Sequence, residues 1–96
     1  MTVLSLERYP VAVEAHSDFE GLLSELLVRM RRQPGLLWAD GGRGGGDGYV
    51  VLSEWRTAGD LDAWQTSPAV VVWEESTDPL LAGDPSRRRF GPASVA

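Results

Sequence analysis

The chain has no cysteine, no lysine and no asparagine, and a single histidine among its 96 residues. Without cysteine there is no disulfide and no thiol nucleophile, and one histidine cannot complete a Cys/His zinc site or hold an iron–sulfur cluster. Nine arginines face 14 acidic residues, for a net charge of −5. A phosphate backbone needs a positive stripe, so nucleic acid is not an expected partner. No apolar run approaches the roughly 18 residues of a membrane span, and the start of the chain lacks the basic-then-apolar order of a secretion signal. A cytoplasmic protein without membrane partner, metal or cofactor is expected, and its chemistry must come from aromatic, arginine, carboxylate or hydroxyl groups.

What is present is well patterned. This length suits one domain with a single core, assigned here to residues 1–91, with 92–96 a flexible tail. Thr2 to Tyr9 alternates as a strand, with Leu4 and Leu6 on one face and Val3, Ser5, Glu7 and Tyr9 on the other, closed by Pro10. Phe19, Leu22, Leu23, Leu26, Leu27 and Met30 then recur with helical period, opened by a Ser17/Glu20 capping box and ended by Gln33-Pro34-Gly35. Leu36 to Asp40 predicts a second strand, Gly41 to Gly48 a long hairpin loop, and Tyr49 to Trp55 a third strand. Thr57/Asp60 repeats the capping spacing before a short helix with Leu61 and Trp64. Ser67-Pro68 opens another over Pro68 to Ser76, although Val70-Val71-Val72 favours a strand locally. Asp84-Pro85 turns the chain into a last strand, Arg87 to Phe90.

The order β-α-β-β-α-(α)-β is the split βαβ of an α+β, ferredoxin-like fold, with a four-stranded antiparallel sheet and helices on one face. The third strand carries apolar groups on both faces: Tyr49, Val51, Ser53 and Trp55 on one, Val50 and Leu52 on the other. Helices cover only one face. A second copy, sheet against sheet, would cover the other, so a homodimer is expected.

Several short segments, in order, resemble the antibiotic biosynthesis monooxygenase-like family of dimeric α+β barrels. They are Arg31-Arg32-Gln33-Pro34-Gly35-Leu36-Leu37, Ser53-Glu54-Trp55-Arg56, Trp64-Gln65-Thr66-Ser67-Pro68 and Pro79-Leu80-Leu81-Ala82-Gly83-Asp84-Pro85. The resemblance implies a cavity between sheet and helices in each protomer. It also implies cofactor-independent oxygenation of a small aromatic, polyketide-like substrate, whose deprotonated, electron-rich form reacts with dioxygen. Trp55 matches the functional tryptophan of anthrone-oxidising members, and Trp64 the cavity tryptophan of haem-degrading members. The cavity asparagine of both types has no counterpart: Val51 holds the third-strand position, and the first-strand position falls at or near Glu7. The haem-ligating histidine is replaced by the stretch Val72, Trp73 and Glu74, which points away from haem.

Each candidate residue has a structural reading beside its functional one. Core packing alone could account for Trp38, Trp55, Trp64 and Trp73, or several could form a slot for a flat ligand. Tyr49 shares a face with Val51, Ser53 and Trp55, and its phenol either bonds a ligand oxygen or is satisfied in the core. Glu7 is either a buried base or an exposed edge carboxylate. His16 is the only imidazole and the default is a solvated loop position. Of Arg87-Arg88-Arg89, Arg88 points opposite its neighbours and is the candidate to meet a ligand oxygen. The expected site therefore has Trp55, Tyr49 and Glu7 as catalytic groups, with Trp64, Trp38, Val51, Ser53, Leu23, Leu27 and Arg88 binding substrate. A polyketide cyclase is the enzymatic alternative. A non-catalytic dimeric module that binds an aromatic ligand or stabilises a partner enzyme is the other.

Overall fold

The computed structural model describes residues 1–46 and 48–91, so the segment 92–96 assigned to a tail lies outside the described residues. Strands β1 (Val3–Pro10), β2 (Leu36–Arg43), β3 (Gly48–Trp55) and β4 (Ser86–Phe90) alternate with helices α1 (His16–Met30), α2 (Ala58–Gln65) and α3 (Pro68–Thr77). The sheet has the order β2-β3-β1-β4 and every neighbouring pair is antiparallel. This is the predicted ferredoxin-like α+β arrangement.

Two local expectations are corrected. The Ser17/Glu20 capping box does not form: a 3-10 turn over Val13–Ala15 leads directly into α1, whose N-cap is Ala15 without a side-chain bond. Ser17 is thereby drawn inside the first turn, and Glu20 bonds to Tyr49 and Arg43 instead. The glycine run is not a long loop either. Gly41, Gly42 and Arg43 pair with Val51, Val50 and Tyr49, and Gly44 N–H bonds Gly48 C=O at 2.9 Å, so only residues 44–47 connect β2 to β3. Glycine suits this strand because a Cβ at Gly41 would lie 3.3 Å from Leu23 Cδ1 and 3.2 Å from Val50 O. Its absence lets α1 settle onto the sheet.

The other helix starts follow their caps. Thr57 Oγ1 accepts from Asp60 N–H at 3.1 Å, and Ser67 Oγ accepts from Val70 N–H at 3.4 Å. With Pro68 preset for the first turn, α3 forms despite its three valines. Packing against α1 outweighs their local preference: Val70 and Trp73 turn into the core, while Val71 and Val72 stay half exposed.

The inner face of the sheet is organised in cross-strand rows, each built from residues opposite one another in register. Val3, Trp55 and Leu36 form one, and Arg89, Ser5, Ser53 and Ala39 the next. Arg87, Glu7, Val51 and Gly41 follow, then Tyr9, Tyr49 and Arg43. The row through Ser5 and Ser53 has small side chains at its centre and the next ends at Gly41, leaving depth for Phe19, Leu23, Leu26, Leu27 and Met30 of α1 and for Trp64 and Trp73.

Candidate functional site

Glu7 is 8% exposed, on β1 in the middle of the sheet's inner face. Its Oε2 accepts from Tyr9 Oη at 2.7 Å, and Arg87 Nε stands 3.4 Å from the same oxygen. Tyr9 Oη in turn accepts from Trp73 Nε1 at 3.2 Å. An indole N–H can only donate, so the phenol proton is committed to Glu7 and the chain Trp73, Tyr9, Glu7 runs in one direction. The Tyr9 ring is fixed edge-on to Trp73 at 5.5 Å and against Phe19 at 5.6 Å. Burial above all, then the Glu7 charge and its hydrogen bond, holds the Tyr9 phenol far above its ordinary pKa. Tyr9 is therefore a donor that orients Glu7, and Glu7 is the acceptor end of the chain.

Glu7, Tyr9 and Arg87 open on a cavity of about 290 Å³ between the β1–β4 seam and the end of α3, lined also by Glu74, Thr77, Leu81 and Pro85. The volume lies at the lower end of ligand pockets, which run from about 300 to 1,000 Å³. Arg87 spans the cavity's carboxylates, with Nη2 3.6 Å from Glu74 Oε1. Glu7, Glu74 and Asp78 outnumber the one guanidinium on its wall, which favours a neutral or protonated ligand over an anion. Among the described residues no group of three or more histidines, cysteines or carboxylates is placed to hold a metal ion.

Of the residues predicted from sequence, Glu7 is in this site and Val51 lies directly opposite it. Trp55 and Trp64 are buried in the core, ring centroids 6.3 Å apart and nearly parallel, with Trp55 Nε1 bonded to Ser53 Oγ at 2.9 Å. The Glu7 cavity is lined by other residues. Leu23 and Leu27 are core residues of α1. Tyr49 is on the predicted face, but its phenol donates to Glu20 beside Arg43, and its ring packs on Phe19 with the His16 ring edge-on at 5.3 Å. Burial and the bond to Glu20 raise the Tyr49 pKa, while the Tyr49 and Arg43 bonds lower that of Glu20. Two predicted residues are on the other side of the sheet. Arg88 pairs with Leu6 on the outer face and lies over the Phe90 ring, because β4 registers Arg87 with Glu7 and Arg89 with Ser5. Trp38 pairs with Glu54, is 43% exposed and donates to Glu54 Oε1 at 2.7 Å. Sequence reasoning missed Arg87, Tyr9 and Trp73. Tyr9 alone had a signal, its place two residues after Glu7 on a strand.

The antibiotic biosynthesis monooxygenase family matches the chain over residues 3–76. The chain belongs to this family. No curated protein matches it in sequence. Among solved structures, Rv0793 from Mycobacterium tuberculosis superposes with a TM-score of 0.89 at 21% identity, over 100% of this chain and 99% of that one. SnoaB, a cofactor-independent oxygenase from Streptomyces nogalater, gives 0.82 at 19% identity, over 98% and 95% of the two chains. A conserved protein from Methanosarcina mazei gives 0.88 at 15%, over 94% and 91%. At these identities the neighbours establish the fold. Membership of the monooxygenase family covers β1 through most of α3, and with them Glu7, Tyr9 and Trp73.

Proposed function

We propose that this member of the monooxygenase family is a cofactor-independent oxygenase acting on a small, neutral aromatic substrate of the polyketide type, with Glu7 as the base. The observation that carries the reading is the buried carboxylate at the cavity wall. Its Oε2 is engaged by Tyr9 and Arg87, which leaves Oε1 as the acceptor for a substrate proton. An anthrone methylene would lose a proton to Glu7, and the resulting electron-rich anion would reduce dioxygen to a bound hydroperoxide. Loss of water, with the proton returned from Glu7, then leaves the carbonyl, so that R₂CH₂ + O₂ becomes R₂C=O + H₂O. Arg87 is placed to stabilise the oxyanion.

The test is oxygen consumption on adding a hydroxyanthrone with metals chelated, compared between wild type and Glu7→Gln. A positioned base contributes about 10²- to 10⁴-fold, so Glu7→Gln should lose at least about a hundredfold in kcat with its circular dichroism unchanged. Equal rates in the two proteins would rule Glu7 out. Product formed equally without oxygen would indicate a cyclase instead, and binding without turnover a non-catalytic module.

The same reading includes a homodimer formed through the outer sheet face. Leu4, Leu6, Val50, Leu52, Trp38 and Phe90 lie there, with Leu52 and Phe90 each 42% exposed. Arg8 and Arg88 share this face with Asp40 and Glu54, so both signs of charge are available to a self-complementary contact. A cytoplasmic location remains part of the proposal; among the described residues no helix is long and apolar enough to cross a membrane.

A further inference from the structure

The Glu7 cavity has a buried floor and an exposed rim. Glu7, Tyr9 and Thr77 are buried, whereas Glu74, Asp78, Ser86 and Arg87 are exposed. On the rim Arg87 Nη2 of β4 faces Glu74 Oε1 of α3 at 3.6 Å. A charge-assisted N–H···O bond closes to about 2.7–2.9 Å, so these two charges attract each other without being hydrogen-bonded. Neither backbone is free to bring them closer. Arg87 is registered opposite Glu7, and Glu74 follows Trp73, whose indole is tied to Tyr9 at 3.2 Å. The loop between α3 and β4 is strapped to the end of β1, with Ala12 N–H on Leu80 C=O at 3.0 Å and Ala82 N–H on Pro10 C=O at 2.8 Å.

What suits the rim follows from the two groups. A guanidinium has only donors and an ionised carboxylate only acceptors. A ligand group that satisfies both must accept from Arg87 and donate to Glu74, which a hydroxyl does with one oxygen. An ether or ketone can only accept, a protonated amine can only donate, and a carboxylate is repelled by Glu7, Glu74 and Asp78. Nε of the same guanidinium stands 3.4 Å from Glu7 Oε2, so one Arg87 side chain joins the base to the rim.

We propose that the Arg87–Glu74 pair reads a hydroxyl group of the aromatic substrate at the cavity rim, on the part of the ring system remote from the carbon deprotonated by Glu7. The hydroxyl oxygen accepts from Arg87 Nη2 and its proton is donated to Glu74 Oε1. Glu74 is thereby a specificity-determining residue, selecting hydroxylated neutral aromatics over their ethers. This rests on the oxygenase reading for the aromatic skeleton, but concerns binding rather than turnover.

The experiment measures Kd by tryptophan fluorescence quenching for a ring-hydroxylated anthrone and for its methyl ether, with wild type, Glu74→Met and Glu75→Met. Wild type should prefer the hydroxylated probe about three- to tenfold, the worth of one hydrogen bond at an exposed rim. Glu74→Met should lose that preference by weakening the hydroxylated probe while leaving the ether unchanged. Glu75→Met removes the same charge from the next position of α3, outside the cavity lining, and should keep the preference. Equal affinities for the two probes in wild type, or a preference that survives Glu74→Met, would overturn the hydroxyl reading and indicate that only water bridges the pair. Either result with wild-type oxygen uptake intact removes this reading alone. Discrimination that depends on Glu74 without any oxygen uptake removes the oxygenase reading alone, and binding of neither probe removes both.

Discussion

With Trp73 N–H on its oxygen and Glu7 receiving its proton, the Tyr9 phenol has little to gain from ionising. Tyr49, whose proton goes to Glu20, is in the same condition. Both folded-state pKa values lie above the unfolded value of about 10. The stabilisation that this represents is therefore complete below about pH 10 and is lost as pH rises from there toward the folded-state values. These are the only two tyrosines in the chain, which makes the prediction simple to check. In an alkaline absorbance titration the tyrosinate of the folded protein should appear at higher pH than that of free tyrosine, the Tyr9 part only together with the loss of the far-ultraviolet dichroism signal. A free-tyrosine titration curve centred on 10 in the folded protein would contradict the buried hydrogen bonds.

The connection from α1 to β2 depends on Gly35, which has φ of +83° and whose C=O accepts from Arg56 N–H at 2.7 Å. A Cβ there would fall 2.3 Å from the Asp60 carboxyl group, which is itself held by the Thr57 cap of α2. Gly35→Ala should thus cost about 1–3 kcal/mol in urea unfolding, combining left-handed strain with displacement of Asp60. Gly59→Ala, with only a 3.7 Å contact, is the control expected to be neutral or stabilising. Such local constraints also explain what could be read from the sequence. The period of two placed Tyr49, Val51, Ser53 and Trp55 together because alternation is intrinsic to a strand, and Ser67-Pro68 announced α3 because a cap acts within four residues. Three consecutive arginines give no phase, so nothing local could tell that Arg88 faces outward while Arg87 and Arg89 face inward; pairing with β1 sets that. Gly41–Arg43 likewise became strand only through β3. The bond from Trp73 to Tyr9 joins residues 64 apart in sequence, and no periodicity carries it.

For the whole molecule the central quantity is the outer sheet face, where Leu52 stands opposite Leu6 on one side and Asp40 on the other. If a second copy covers that face, Leu52→Arg should convert the dimer to monomer in size-exclusion light scattering at micromolar concentration. Its dichroism should stay close to wild type, since Leu52 lies outside the core of the protomer. An unchanged mass would place the dimer contact elsewhere, and a monomeric wild type would remove the dimer altogether.

The strand order also gives β4 a task unconnected with ligand or dimer. It is an outer strand of the sheet, five residues long and exposed throughout, with one row of backbone groups unclaimed by β1. Such a margin invites another chain to add itself strand by strand, the first step of aggregation, and brevity with clustered positive charge is how native sheets discourage it. Arg88, on the outer face with its guanidinium over the Phe90 ring, carries that charge, whereas Arg87 and Arg89 are neutralised by Glu7, Glu74 and Asp62. Replacing Arg88 with threonine would keep the strand's propensity while removing its repulsion, and the expected result is a protein that folds but precipitates on concentration.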